Sequence, residues 1–125
     1  MKIIIPLPPV TKKNSQRILK NRRTGKHFIA PSEAYEAYHE KALWMLSRYP
    51  KSALDTPVNV KCTYFMPTRR VVDLCNLLEC TCDVLVDAGV LKDDNSRVVV
   101  GHDGSRVLLD PSRPRTEIEI TEVQA

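Results

Sequence analysis

The residues best able to do chemistry are acidic, and they are spaced as a helix would space them. Asp73, Asn76, Glu79, Asp83 and Asp87 recur at intervals of three and four, which at about 100° per residue gathers them on one arc of a helix. Leu74, Leu77, Leu78, Thr81, Leu85 and Ala88 fall on the opposite arc. Like charges at this spacing repel by several tenths of a kcal/mol per pair, roughly, so the row needs solvent or bound cations around it. A second pair, Asp93 and Asp94, follows in a turn-like stretch from Lys92 to Asn95. One or two carboxylates from each of two such elements can hold Mg²⁺, which prefers hard oxygen donors and keeps waters for a phosphate. An ion held this way polarises a phosphoryl oxygen, makes hydroxide from bound water and neutralises a leaving oxygen. A plainly solvated acidic face is the competing reading of the same row.

No other constellation competes. His27, His39 and His102 are scattered, and an isolated histidine is more often a hydrogen-bonded or surface residue than a catalyst. His102 with Asp103 is the exception, because it follows a strand close to the acidic centre. The cations sit elsewhere: seven lie between Lys12 and Lys26, two more are Arg69 and Arg70, and seven acids lie between Asp73 and Asp103. Net charge is +4, and basic flanks around an acidic middle suit a protein that grips a phosphate backbone at its edges. A solvated basic loop is the alternative there.

The elements that must position these residues can be read from period and punctuation. Ile3 to Ile5 form a short strand stopped by Pro6 and Pro8-Pro9. Arg17 to Leu19 and His27 to Ala30 can pair as a hairpin across Asn21 to Gly25. Ser32 is placed to cap a helix that carries Ala34, Tyr38, Ala42, Leu43, Leu46 and Tyr49 before Pro50. Val58, Val60, Cys62, Tyr64 and Met66 alternate with Asn59, Lys61, Thr63 and Phe65, which predicts a strand leading into Arg69-Arg70. The acidic helix runs from Asp73 to Ala88, ended by Gly89, and strand material follows at Val98 to Val100, Arg106 to Leu109 and Thr116 to Glu122. The order implies one α+β domain over residues 1–125, a mixed β-sheet flanked by two helices.

The 125 residues suit a single domain, and 42% hydrophobic with 27% charged residues excludes a disordered or fibrous chain. The N-terminal ten residues do not read as a signal peptide, and no apolar run reaches membrane-spanning length. Cys62, Cys75, Cys80 and Cys82 lack the spacing of a disulfide framework or a zinc knuckle, so reduced thiols and a cytoplasmic location are expected.

The run R-R-V-V-D-L-C-N-L-L-E from Arg69 to Glu79, continued by Asp83 and by A-G-V-L-K-D-D up to Asp94, resembles the signature of the RusA-type Holliday junction resolvases. Pro8-Pro9, Lys12-Lys13-Asn14 and the final T-E-I-E-I-T-E extend the similarity outward. The resemblance implies a Mg²⁺-dependent endodeoxyribonuclease, with Mn²⁺ as an alternative ion, that resolves four-way DNA junctions by paired symmetric nicks as a homodimer in recombination and repair. It places metal-binding aspartates on Asp73 and Asp94, the motif asparagine on Asn76 and the helical aspartate on Asp83. The family's middle metal-binding aspartate falls on Cys75 and its helix lysine on Glu79, two departures that touch the chemistry. A thiol is a poor Mg²⁺ ligand, so Glu79, with Asp93 or Asp103, is expected to restore the lost oxygen donor. The expected site is then Asp73, Asp94, Glu79 and Asn76, with Asp73, Asp94, Glu79 and Asp93 on the metal. Lys12, Lys13, Asn14, Arg17, Arg22, Arg23, Lys26, Arg69 and Arg70 are expected on DNA. A junction binder that no longer cuts, and an interaction domain whose acidic helix meets a basic protein, are the rival readings.

Overall fold

The computed structural model describes residues 1–12, 17–30 and 32–124, and at 17, 29 and 30 the backbone alone. In chain order the elements are β1 (Lys2–Ile5), β2 (Arg17–Lys20), β3 (His27–Ala30), α1 (Glu33–Leu46), β4 (Val58–Met66), α2 (Leu74–Asp87), β5 (Val99–Gly101), β6 (Arg106–Leu109) and β7 (Arg115–Glu122). This is the α+β arrangement with a mixed sheet that the hydrophobic periods predict.

β4 is the organising strand. Its alternation leaves Val58, Val60, Cys62 and Tyr64 buried on one face. On one side it pairs antiparallel with β7, from Val58 opposite Glu122 to Phe65 opposite Arg115. On the other side two short strands share its edge: β5 runs parallel beside Val58 and Asn59, and β6 parallel beside Thr63 to Met66. β1 adds to the far side of β7, antiparallel, with Ile3 opposite Ile118. β2 and β3 form a separate two-stranded ribbon. Its turn is closed by Asn21, whose side-chain oxygen accepts from the amides of Arg23 and Thr24, and by Gly25 at φ +70.

Both helices cover the same face of the sheet. Ile3, Ile5, Val60, Tyr64 and Ile118 share one core with Tyr38, Ala42 and Leu46 of α1 and with Leu77, Val84 and Leu85 of α2. The opposite face carries Lys2, Ile4, Asn59, Lys61, Glu117 and Glu119, none of them buried, so the flanking helices leave one side of the sheet to solvent, as an antiparallel-rich sheet allows. The bond between the Tyr64 hydroxyl and Thr81 Oγ1, 2.6 Å and buried, ties α2 to the central strand, and Thr81 Oγ1 in turn donates to the Leu77 carbonyl at 3.0 Å.

Each helix begins at a capping side chain. Ser32 Oγ accepts from the Tyr35 amide at 3.1 Å, and Asp73 Oδ1 accepts from the Cys75 amide at 2.9 Å, satisfying donors that a helix N-terminus otherwise leaves open. α2 stops in a Schellman turn: Val90 N donates to the Leu85 carbonyl and Gly89 N to that of Val86, both at 3.0 Å, with Gly89 at φ +76. α1 ends at Leu46, a turn before Tyr49, and the four cysteines are all free thiols. Among the described residues no helix is long and apolar enough to cross a membrane.

Candidate active site

α2 buries more than its leucine arc. Leu77, Cys80, Thr81, Cys82, Val84 and Leu85 are all inside, so Asp73, Asn76, Glu79, Asp83 and Asp87 are confined to the strip that remains. The C-terminal half of that strip faces α1 across a cleft of about 430 Å³, lined by Tyr35, Glu36, His39 and Glu40 from α1, by Asp83 and Asp87 from α2, and by Lys12 and Asp94 at its margins. Lys12 Nζ donates to Asp83 Oδ2 at 2.8 Å, and its ammonium lies 5.7 Å from the centre of the Tyr35 ring. His39 Nε2 lies 2.9 Å from Asp87 Oδ2, and its Nδ1 lies 3.4 Å from the Tyr35 hydroxyl. The hydrogen bond it donates to Asp83 holds the Lys12 ammonium above its usual pKa. Burial raises that of Tyr35, which stays a phenol.

Asp94 reaches the same cleft from the loop after α2. That loop is pinned to the C-terminal end of the helix by Leu91 N on the Leu85 carbonyl, and to the preceding segment by Leu54 N on the Val90 carbonyl. Partial desolvation first, and the neighbouring Asp93 carboxylate second, push the Asp94 carboxyl above the ordinary range. Asp93 turns elsewhere: its carboxylate accepts from the Asp94 amide at 2.7 Å and from Asn95 Nδ2 at 3.0 Å, and it borders a shallow hollow with Asp55, Lys92 and Arg97.

Asp73 is at the other end of the helix, exposed, as its N-cap. Ten residues at about 1.5 Å of rise put it roughly 15 Å along the axis from Asp83, the cleft residue beside which Asp94 sits. Two aspartate side chains cannot span that distance to one ion. Asn76 is half-buried and Glu79 exposed on the turns between. The structure therefore brings Asp94 together with Asp83 and Asp87, places Glu79 one helical turn before Asp83, and holds Asp73 at the far end of the helix. Among the described residues no group of three or more His, Cys, Asp or Glu is arranged to hold a metal ion.

The basic residues also divide. Arg22, Arg23 and Lys26 are exposed at the turn of the β2–β3 ribbon, and Arg69 and Arg70 are exposed on the approach to α2. Lys12 belongs to the cleft, drawn in by Asp83. Lys13 and Asn14 lie outside the described residues, and only the backbone of Arg17 is described, in β2. His102 is a structural residue: its Nδ1–H donates to the Val60 carbonyl at 2.8 Å, while Nε2 lies 4.0 Å from Cys82 Sγ. Asp103 is held through its amide by Asn59 Oδ1 at 2.8 Å. His39 is the cleft residue that sequence reasoning passed over. The available signal was its i, i+4 spacing from Tyr35 on one helix, matching Asp83 and Asp87 on the other.

The family model described as "Endodeoxyribonuclease RusA" matches residues 6–121 of this chain. The "Crossover junction endodeoxyribonuclease RusA" of Aquifex aeolicus (strain VF5) is 36% identical to it over 59 residues, which are 46% of this chain and 47% of that protein. The matched part thus spans about half the length of the curated relative.

Proposed function

The chain belongs to the RusA endodeoxyribonuclease family, and we propose that it is a structure-selective endodeoxyribonuclease that resolves four-way DNA junctions by paired symmetric nicks, acting as a homodimer in recombination and repair. The observation that carries this reading is the separation of Asp73 from Asp94 by most of the length of α2. If both are ligands, the site is completed only when a second copy brings its own α2 N-terminus to Asp94. Two such sites related by a two-fold axis suit a branched substrate whose opposing strands are cut alike.

In this reading Asp73, Asp94, Glu79 and Asp93 are the oxygen donors for Mg²⁺ or Mn²⁺, and Asn76 hydrogen-bonds the substrate or its water. The ion, when bound, supplies charge neutralisation and an activated water. The chain's own contribution is to hold carboxylates on rigid ends of one helix, Asp73 by its cap bond and Asp94 by the loop anchored at Leu91. Arg22, Arg23 and Lys26 at the ribbon turn, with Lys13, Asn14, Arg17, Arg69 and Arg70, contact phosphates and set position rather than sequence preference. The thiol at Cys75 and the carboxylate at Glu79 favour a second reading, a family member that binds junctions without cutting, because Mg²⁺ gains nothing from sulfur.

The experiment is cleavage of a labelled four-way junction, beside linear duplex, in Mg²⁺ and in EDTA. It uses wild type, Asp73→Asn, Asp94→Asn, and an equimolar mixture of the two variants. Junction-selective, Mg²⁺-dependent nicks lost in each variant are expected. The mixture should regain single nicks, because a mixed dimer has one site with both aspartates intact. Inactive mixtures would refute the shared site, and tight binding without cutting by wild type would favour the second reading.

A further inference from the structure

α2 itself contains no basic residue, and position 79, on its exposed strip, is a glutamate. The cleft nonetheless contains a fixed ammonium. Lys12 comes from the segment before β2, seventy-one positions away from Asp83 in sequence, and places Nζ at 2.8 Å from Asp83 Oδ2 with both side chains about one-third exposed. A lysine on a DNA-gripping arm would project its charge outward, whereas this one lies against the Tyr35 ring between the two helices. Of the three aspartates in the cleft, Asp83 is met by this ammonium and Asp87 by the His39 imidazole. Among the described residues no cationic side chain is paired with Asp94.

We propose that Lys12 is a positioning residue: by holding Asp83 it withdraws that carboxylate from cation binding and leaves Asp94 as the cleft aspartate open to a cation. The proposal rests on the reading of Asp94 as a metal donor. The cleft's charge is set internally by Lys12, and the metal site is displaced to the Asp94 end.

The test compares wild type with Lys12→Met and Lys12→Arg by Mn²⁺ titration, following line broadening of the backbone signals of residues 83, 87 and 94. The salt dependence of junction binding is measured alongside, without divalent ion. In wild type these cleft signals should broaden together at one Mn²⁺ concentration, and in Lys12→Met that concentration should fall at least about tenfold, while the salt slope stays unchanged and Lys12→Arg resembles wild type. Unchanged Mn²⁺ behaviour in Lys12→Met, together with a salt slope reduced by about one, would overturn the proposal and make Lys12 a phosphate contact. If Lys12→Met does not fold, the wild-type Lys12 ammonium signal decides. Its persistence in the junction complex supports the proposal, and its loss on adding DNA overturns it. Failure of wild type to bind junctions would count against the nuclease reading, and the Mn²⁺ comparison would still judge Lys12.

Discussion

Asp73 has two jobs in this account, helix cap and metal donor, and two substitutions separate them. Its Oδ1 accepts from the Cys75 amide at 2.9 Å. Asp73→Ala leaves that amide to solvent, a change that costs about 1 kcal/mol at helix N-caps. With roughly 2.1 cal/mol/K of unfolding entropy per residue over 125 residues, 1 kcal/mol corresponds to a fall in Tm of about 4 °C. Asp73→Asn keeps an oxygen in the same place and loses only the favourable charge at the positive end of the α2 dipole. For an exposed side chain that is at the low end of about 0.3–1 kcal/mol, so the fall should be about 1–2 °C. Junction cleavage, in contrast, should be lost in both, because an amide does not replace a carboxylate on Mg²⁺. Thermal unfolding at one protein concentration without divalent ion, paired with the junction assay, reads both effects. If Asp73→Asn cuts as wild type does, Asp73 is a cap and no more; if it unfolds as early as Asp73→Ala, the hydrogen bond is not what stabilises the helix start.

Three further outcomes are expected of this structure. Thr81→Val strands the buried Tyr64 hydroxyl and should cost about 1–3 kcal/mol, whereas Tyr64→Phe leaves Thr81 still donating to Leu77 and should cost nearer 1; denaturant melts showing the reverse order would contradict the pairing. The Asp94 carboxyl is raised in the folded state, so its ionisation opposes folding, and the stability it contributes when protonated is lost as pH rises through its folded pKa. Asp94→Asn should accordingly melt higher than wild type at pH 7 in EDTA and lose that advantage below the carboxylate range, and equal or lower melting at pH 7 would refute it. A thiol reagent at neutral pH should label the exposed Cys75 rapidly and the others slowly, since burial pushes Cys62 up to about 11 and Cys82 up to about 12. A second fast equivalent would disagree.

Local patterns were legible in the sequence because each is decided by neighbours. The period-two run of β4 and the strand from Arg106 to Leu109 match the structure residue for residue, the Ser32 cap is in place, and the hairpin across Asn21 to Gly25 is formed. What was not legible depends on where elements meet. Leucine spacing predicts one buried arc on α2, but neighbouring segments also bury Cys80, near Lys12 and Tyr35, and Cys82, near His102, which narrows the acidic strip. Which acidic residues the Asp93-Asp94 turn approaches is not decided by its own sequence: the Schellman turn at Gly89 and the Leu54 bridge anchor it at the C-terminal end of the helix. The pairing of Lys12 with Asp83 joins segments no local pattern connects, so a residue that reads as part of a basic arm belongs to the cleft.

β7 lies between β1 and β4, hydrogen-bonded to both along its length, although its residues come last among the elements. During synthesis every other strand is therefore made before the one that joins them. Until residues 115–122 are available, the buried faces of Ile3, Ile5, Val60 and Tyr64 have helices to meet but no common sheet to meet them on. The joining of β1 to β4 must wait for that strand. Because that closure links distant parts of the chain, it should be slow relative to helix formation, leaving an interval in which two apolar strands depend on α1 and α2, or on a chaperone, for cover.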